Sequence, residues 1–357
     1  MKIDFICSSL VGGGAERVLV NLANHLVTKG YSLSIITFNP GDDYEISKKI
    51  SRIRLHEGKP KNHKLRSANN LLKYYKEKNN RPDIVISFIT ETNLISILVS
   101  RLYSLKIICS EHITYLQQGN YVTKFTRNFI YRFANIITVL TSFDKPFYEG
   151  KGCKVVVMPN PCTFIPLKDN TINRKNVILA IGNLNRYHHK GFDNLIELAA
   201  PILKSNKDWI LKIVGGGEKG LEVLSKLVAA HNINDQIIFT GFRNDINKIM
   251  QESSVFILPS RFEGLPMVLL EAMSQGMACI AYDCKTGPAD IIVHKENGLL
   301  IKDQDMKEMQ NGLTHLLSDE KLRRNLSIKA INSLNKYSIE NVSGLWEDLF
   351  KSLQPLK

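Results

Sequence analysis

Residues 259–273 read Pro259-Ser260-Arg261-Phe262-Glu263-Gly264-Leu265-Pro266-Met267-Val268-Leu269-Leu270-Glu271-Ala272-Met273. The apolar run Ser254–Leu258 before them predicts a buried strand, and Pro266–Gln275 predicts a helix. Pro266 suits a first helical position, where its missing N–H costs no hydrogen bond. The stretch is therefore a strand-to-helix turn at the carboxyl end of a strand. The free N–H groups and dipole of such a helix start favour an anion, a diphosphate included. Glu263 precedes the helix and Glu271 lies within it, eight residues on. Two oxygens let a carboxylate accept from both vicinal hydroxyls of a ribose or a hexose. Taken singly, Glu263 also fits a helix cap and Glu271 a solvated face.

The alternation of short apolar strand and amphipathic helix extends outward from this turn. Strands are expected at Val177–Ile181, Ile210–Val214, Gln236–Phe239 and Ala278–Ala281, with helices near Phe192–Leu203, Lys219–Ala230 and Ile246–Glu252. A separate run precedes Pro159-Asn160-Pro161, with strands at Ile3–Cys7, Leu33–Phe38, Ile84–Phe88, Lys106–Cys109 and Ile136–Val139, and a helix over Ala15–Lys29. Continuous apolar strands alternating with helices predict a parallel sheet covered on both faces. Two such runs joined by a Pro-containing linker predict an α/β chain of two Rossmann-like domains facing a cleft. The expected bounds are 1–165 and 166–335. A last helix within 336–357 has a course back onto the first domain open to it.

The 357 residues suffice for two to three hydrophobic cores. An apolar share of 44% with 23% charged excludes a disordered chain, a collagen-like fibre and a disulfide-stapled module. The net charge of +13 is uneven: residues 1–165 carry +11 and residues 166–357 carry +2. A basic half predicts an anionic partner, whether nucleic acid, a phosphate-bearing substrate or a membrane surface. None of the six cysteines forms a C-x-x-C pair, and several lie in apolar runs, so buried thiols in a reducing cytosol are expected. Met1–Ile6 is too short for a signal-peptide core. No apolar stretch reaches the roughly 20 residues of a spanning helix, so membrane contact would be peripheral.

Further segments have chemistry of their own. Gly12-Gly13-Gly14 follows the first strand and fits equally a phosphate-approaching loop and a plain turn. Asp303-Gln304-Asp305 has the form of a metal-binding Asp-x-Asp, but the helical pattern after it makes a cap the better reading. His188 and His189 read as a surface loop. Between Lys48 and Arg81 lie twelve basic and two acidic residues. In Tyr121–Phe133, helical spacing would line up Phe125, Phe129 and Phe133, with Lys124 and Arg127 on another stripe. That segment fits a core helix with a solvated basic face as well as an acceptor site beside an anionic membrane.

The quoted run resembles the E-x7-E signature of the retaining GT-B glycosyltransferases, in particular the large family-4 (group 1) set that uses nucleotide sugars. Other segments are similar to that family's landmarks, in the same order: Gly13–Arg17, Ser110-Glu111-His112, Lys190-Gly191-Phe192-Asp193, Val214–Glu218, Phe239–Phe242 and Glu296–Leu300. The resemblance covers nearly the whole chain. It implies that Glu271 binds the ribose hydroxyls and that Glu263, with the N–H groups of Gly264 and Leu265, holds the donor sugar. It implies that Lys190 neutralises the leaving diphosphate and that His112 contacts the sugar near its 6-hydroxyl. Gly13 and Gly14 would let the first loop close over the donor phosphates, and the backbone near Phe242 and Arg243 would pack against the base. One departure is that Gly182 is followed by Asn183 where the family often has Arg. Arg186 is the nearest candidate for a second phosphate ligand.

The expected activity is retaining transfer of a hexose or N-acetylhexosamine from a UDP-sugar, with no metal and no cofactor beyond the nucleotide-sugar substrate. Cys284–Ile292 resembles a subgroup that includes N-acetylgalactosamine transferases. The expected acceptor is a lipid-linked or growing bacterial surface glycan, reached by a cytoplasmic protein on the inner membrane face. A soluble acceptor and a catalytically dead binding subunit are the alternatives. No nucleic-acid-binding motif accompanies the basic charge, so nucleic acid is not an expected partner.

Overall fold

The computed structural model describes residues 1–117 and 119–354. The end of the expected C-terminal segment, residues 355–357, lies outside the described residues. The chain divides into two compact units, Met1–Thr163 with Tyr337–Lys357, and Phe164–Lys336.

The first unit holds strands β1 (Lys2–Cys7), β2 (Ser32–Thr37), β3 (Ser51–Arg54), β4 (Ile84–Phe88), β5 (Lys106–Ser110), β6 (Ile136–Val139) and β7 (Val155–Val157). They form one parallel sheet in the order β3-β2-β1-β4-β5-β6-β7. The second unit holds β8 (Lys175–Ile181), β9 (Ile210–Val214), β10 (Ile237–Phe239), β11 (Ser253–Leu258), β12 (Ala278–Asp283) and β13 (Leu299–Lys302). Their parallel order is β10-β9-β8-β11-β12-β13. Helices cover both faces of each sheet, so the central strands are mostly Ile, Val, Leu and Phe and almost wholly buried, with a few buried polar residues such as Asp4, Ser34 and Ser87 among them. The strand order reverses at β1/β4 in the first sheet and at β8/β11 in the second. Connections leaving to opposite sides at such a point open a crevice beyond the carboxyl ends of the strands. This two-unit Rossmann-like architecture is the GT-B fold.

Strands β3, β7 and β13 escape the periodicity reading; each is an edge strand of only three or four residues, too short to set a pattern, although the edge strand β10 was expected at Gln236–Phe239. Ser51-Arg52-Ile53-Arg54 has no buried residue at all. An edge strand need not be apolar on both faces, and basic side chains there discourage edge-to-edge pairing.

The helix Ile339–Ser352 belongs to the first unit. Its Val342, Trp346 and Phe350 are buried in one cluster with Leu19, Leu22 and Leu26 of the helix Gly14–Thr28. The Tyr31 hydroxyl donates to Glu347 Oε1 at 3.2 Å, and its ring meets Phe350 edge-on at 5.8 Å. Asp4, in the middle of β1, is fully buried and accepts from the Tyr75 hydroxyl at 2.8 Å. Burial pushes its carboxyl up to about 6 despite that bond. The cysteines are free thiols, and five of the six are buried.

Candidate functional site

In the second unit, the two segments that leave the strand reversal meet. After β8 the chain makes a short helix, Tyr187–Lys190, and turns at Gly191. After β11 it enters Pro259–Pro266. Lys190 Nζ lies 2.8 Å from Glu263 Oε1, and the Ser260 hydroxyl donates to the same oxygen at 2.6 Å. The two charged side chains are 17% and 10% exposed. Burial alone would raise the Glu263 carboxyl. The adjacent Lys190 charge and the two hydrogen bonds outweigh it and hold Glu263 below the usual carboxylate range.

The approach is tight enough to require glycine. At φ +68°, a Cβ on Gly191 would fall 1.9 Å from the Pro259 carbonyl oxygen. Arg261 ties the segments further. Its guanidinium donates to Asp193 at 2.7 Å and Asn194 at 2.5 Å, and its N–H to the His189 carbonyl at 3.0 Å. Arg261 stands in the quoted run, but nothing in its residue type or spacing marked it as the tie between the two segments.

The helix after this turn is Met267–Ser274, with Pro266 one position outside it at the N-cap. Gly264 and Leu265 lie between Glu263 and that cap. The Thr286 hydroxyl donates to the Glu263 carbonyl. Gly287, at φ +91°, leaves no room for a side chain because a Cβ would lie 1.9 Å from the Gly264 oxygen. Glu271 is 4% exposed, so a solvated-face role is excluded. Phe242, by contrast, is 78% exposed beside the Gly215–Gly217 loop, and Arg243 pairs with Asp245 at 2.6 Å. Phe242 lies three residues beyond the end of β10 at Phe239.

The remaining candidates separate. Arg186 is exposed and bonds the His189 ring at 3.0 Å, leaving Lys190 as the cation on Glu263. The His188 ring faces Asp193 at 3.0 Å, so His188 and His189 point to different partners from a short helix, not a loop. Asp305 caps the helix Met306–Ser318 by accepting from the Glu308 N–H at 2.9 Å. Asn297 clamps its own turn, bonding Val293 N, Ile291 O and Ser333 Oγ.

In the first unit, Gly13 is the N-cap of the helix Gly14–Thr28, and its carbonyl accepts from the Tyr44 hydroxyl at 2.8 Å. A Cβ at Gly13 would lie 1.7 Å from a Glu16 carboxylate oxygen, so Glu16 folds back over the helix start. Gly14 faces open space: apart from its chain neighbours and its own helix backbone, no described atom lies within 4 Å of its missing Cβ. His112 follows the carboxyl end of β5. Its ring stacks on Phe88 at 4.9 Å, and its Nε2 lies 3.1 Å from Ser110 Oγ. Burial pushes the imidazole down to about 4, so it is neutral at pH 7.

The segment Tyr121–Phe133 corrects one expectation. It is built of a short α-helix, a π-helical turn and a 3-10 turn. Arg127 is buried and donates to Glu111 at 2.9 Å, so it is no part of a surface stripe with Lys124. The reason is local: Glu111, beside His112, points inward and requires a counter-charge. Phe125, Phe129 and Phe133 face outward and are 46–54% exposed, which excludes the core-helix reading.

The chain matches Glycosyltransferase Family 4 over residues 12–162 and Glycosyl transferases group 1 over residues 165–333. It is 30% identical to an uncharacterized glycosyltransferase of Haemophilus influenzae, covering 98% of this chain and 99% of the relative. A Campylobacter jejuni protein is 28% identical, with 99% of both chains covered. That relative is named as an alpha-1,4-N-acetyl-D-galactosaminyltransferase acting on GalNAc-alpha-(1->4)-GalNAc-alpha-(1->3)-diNAcBac-PP-undecaprenol. Among solved structures, sucrose-phosphate synthase of Thermosynechococcus elongatus superposes with a TM-score of 0.83 at 18% identity, covering 99% of this chain and 98% of that one.

Proposed function

The chain belongs to the family-4, group 1 GT-B glycosyltransferases, and from that premise we propose that it moves a hexose or N-acetylhexosamine from a UDP-sugar, with retention, onto a lipid-linked surface glycan. The observation that carries this reading is the Lys190–Glu263 pair at the strand reversal of the second unit. Lys190 releases Glu263 when a diphosphate takes its place, and the freed carboxylate accepts the hydroxyls of the donor sugar. Gly264 and Leu265 present N–H groups to that sugar, Glu271 takes the ribose and Phe242 with Arg243 the base. Arg186 borders the diphosphate. In the first unit, Gly13 and the open Gly14 take the donor phosphates, and neutral His112 the donor sugar.

The bond from the anomeric carbon to the diphosphate breaks, and the leaving oxygen keeps the electron pair. The acceptor oxygen bonds to the same face of that carbon and gives its proton to the departing phosphate. Lys190 and the helix start after Pro266 supply the counter-charge without a metal ion. Supporting the acceptor class is the undecaprenol-diphosphate substrate named for the Campylobacter relative. No helix among the described residues is long and apolar enough to cross a membrane. Lipid contact is assigned to the exposed Phe125, Phe129 and Phe133 with Lys124 and Arg132, on the cytoplasmic face.

A thermal-shift panel of nucleotide sugars identifies the donor, because a cognate ligand at 100 times its Kd stabilises by about 2.7 kcal/mol. UDP release is then measured with the wild type and with Glu263→Ala, in the presence of EDTA. The expected loss is roughly 100-fold or more, the size seen when a transition-state contact is removed. Equal rates would overturn the site assignment.

A further inference from the structure

The first unit contains a buried polar network that the donor-site roles leave unused. Its centre is Glu111, which directly follows β5 and precedes His112. Glu111 Oε1 accepts from Thr90 Oγ1 at 2.7 Å, Asn93 Nδ2 at 3.4 Å and the Tyr131 hydroxyl. Its Oε2 accepts from Arg127 Nη2 at 2.9 Å and the Tyr148 hydroxyl at 3.4 Å. Arg127 also donates to the carbonyls of Ile113 and Gln117, each at 3.3 Å. The chain is thus held on both sides of His112 by one ion pair, and the Glu111 N–H bonds Thr138 O at 2.9 Å.

A second observation comes from the neighbouring strand end. Ile89, the residue after β4, has φ +72°, a conformation that a β-branched side chain adopts only under constraint. Its N–H bonds the Ser110 carbonyl at 3.2 Å, and Thr90 beside it bonds Glu111. Phe88, just before it, carries the His112 ring. Such strain costs on the order of 1–3 kcal/mol and persists where surrounding contacts over-determine it. A buried ion pair is, in the same way, seldom the most stabilising way to fill its volume. Both unfavourable features converge on the two residues that flank and stack against His112.

We propose that Glu111, with Arg127 as its counter-ion, is the positioning residue that holds His112 in register for glycosyl transfer. The inference rests on the assignment of His112 to the donor sugar. A misplacement of about 1 Å in a reacting constellation costs up to roughly 100-fold in rate. Steady-state kinetics with the cognate donor therefore compare the wild type, Glu111→Gln, His112→Ala and the double variant. The expected result is a kcat lowered about 10–100-fold by Glu111→Gln with donor KM within about threefold, and no further loss when His112 is already Ala.

Multiplying losses in the double variant, or an unchanged kcat, would overturn the proposal and leave the His112 assignment standing. A wild-type rate for His112→Ala would sink both. Should Glu111→Gln not fold, Thr90→Val removes one donor and keeps the ion pair. Its loss of kcat must likewise vanish in the His112→Ala background.

Discussion

Lys190 and Glu263 are 73 residues apart in sequence and share one hydrogen bond, yet the run around Glu263 and the Lys-Gly step at 190–191 are both readable without coordinates. Their pairing follows from strand order, because β8 and β11 are neighbours at the reversal. Arg261 and Glu111 were not legible as ties, since both act through partners distant in sequence. Residue-scale electrostatics also predict a stability profile. Asp4 carries a carboxyl raised to about 6 in the folded state, above its ordinary 3.8. The folded chain thus holds a proton that the unfolded chain has lost between those values. The stabilisation is fully present below the unfolded pKa and is lost as pH rises through about 6. Asp4→Asn keeps an acceptor for Tyr75 and removes the buried charge. Denaturant titration should show it more stable than the wild type by about 3 kcal/mol at pH 8, with little difference near pH 4. Equal stabilities at pH 8 would refute the assignment.

At the scale of elements, long apolar strands and amphipathic helices were legible because their side chains obey one period throughout. The short edge strands β3, β7 and β13 were not, since three or four residues leave little pattern, whereas the edge strand β10 was read from Gln236–Phe239. The helix Ile339–Ser352 lies between these cases: its periodicity was readable, its partner was not. Its apolar stripe lands on the helix Gly14–Thr28 and Tyr31. Trp346→Ala should cost about 3–5 kcal/mol of unfolding free energy. Hydrogen exchange should localise the loss to residues 14–28 and the sheet beneath them. Unchanged protection there would contradict the packing.

At the scale of the whole molecule, the charge split of +11 against +2 now divides between partners. In the proposed reading the nearly neutral half takes the donor with a few placed groups. The basic half bears three exposed phenylalanines with Lys124 and Arg132 on one segment, while Arg127 is committed inside. Vesicles with anionic lipid should float the protein, and Lys124→Gln with Arg132→Gln should weaken partitioning roughly 30-fold, at about 1 kcal/mol per basic residue. Unchanged flotation would remove the lipid contact from this segment.

The placement of the last helix also sets an order of assembly. Residues 337–352 complete the core of the first unit, but a ribosome makes them only after the whole of 164–336. At about 5–20 residues per second, the first unit waits roughly 10–35 s for the element that covers Leu19, Leu22 and Leu26. During that interval the nascent first unit shows an apolar groove, while the second unit can close as soon as it emerges. The half that is synthesised first is therefore the half that finishes last.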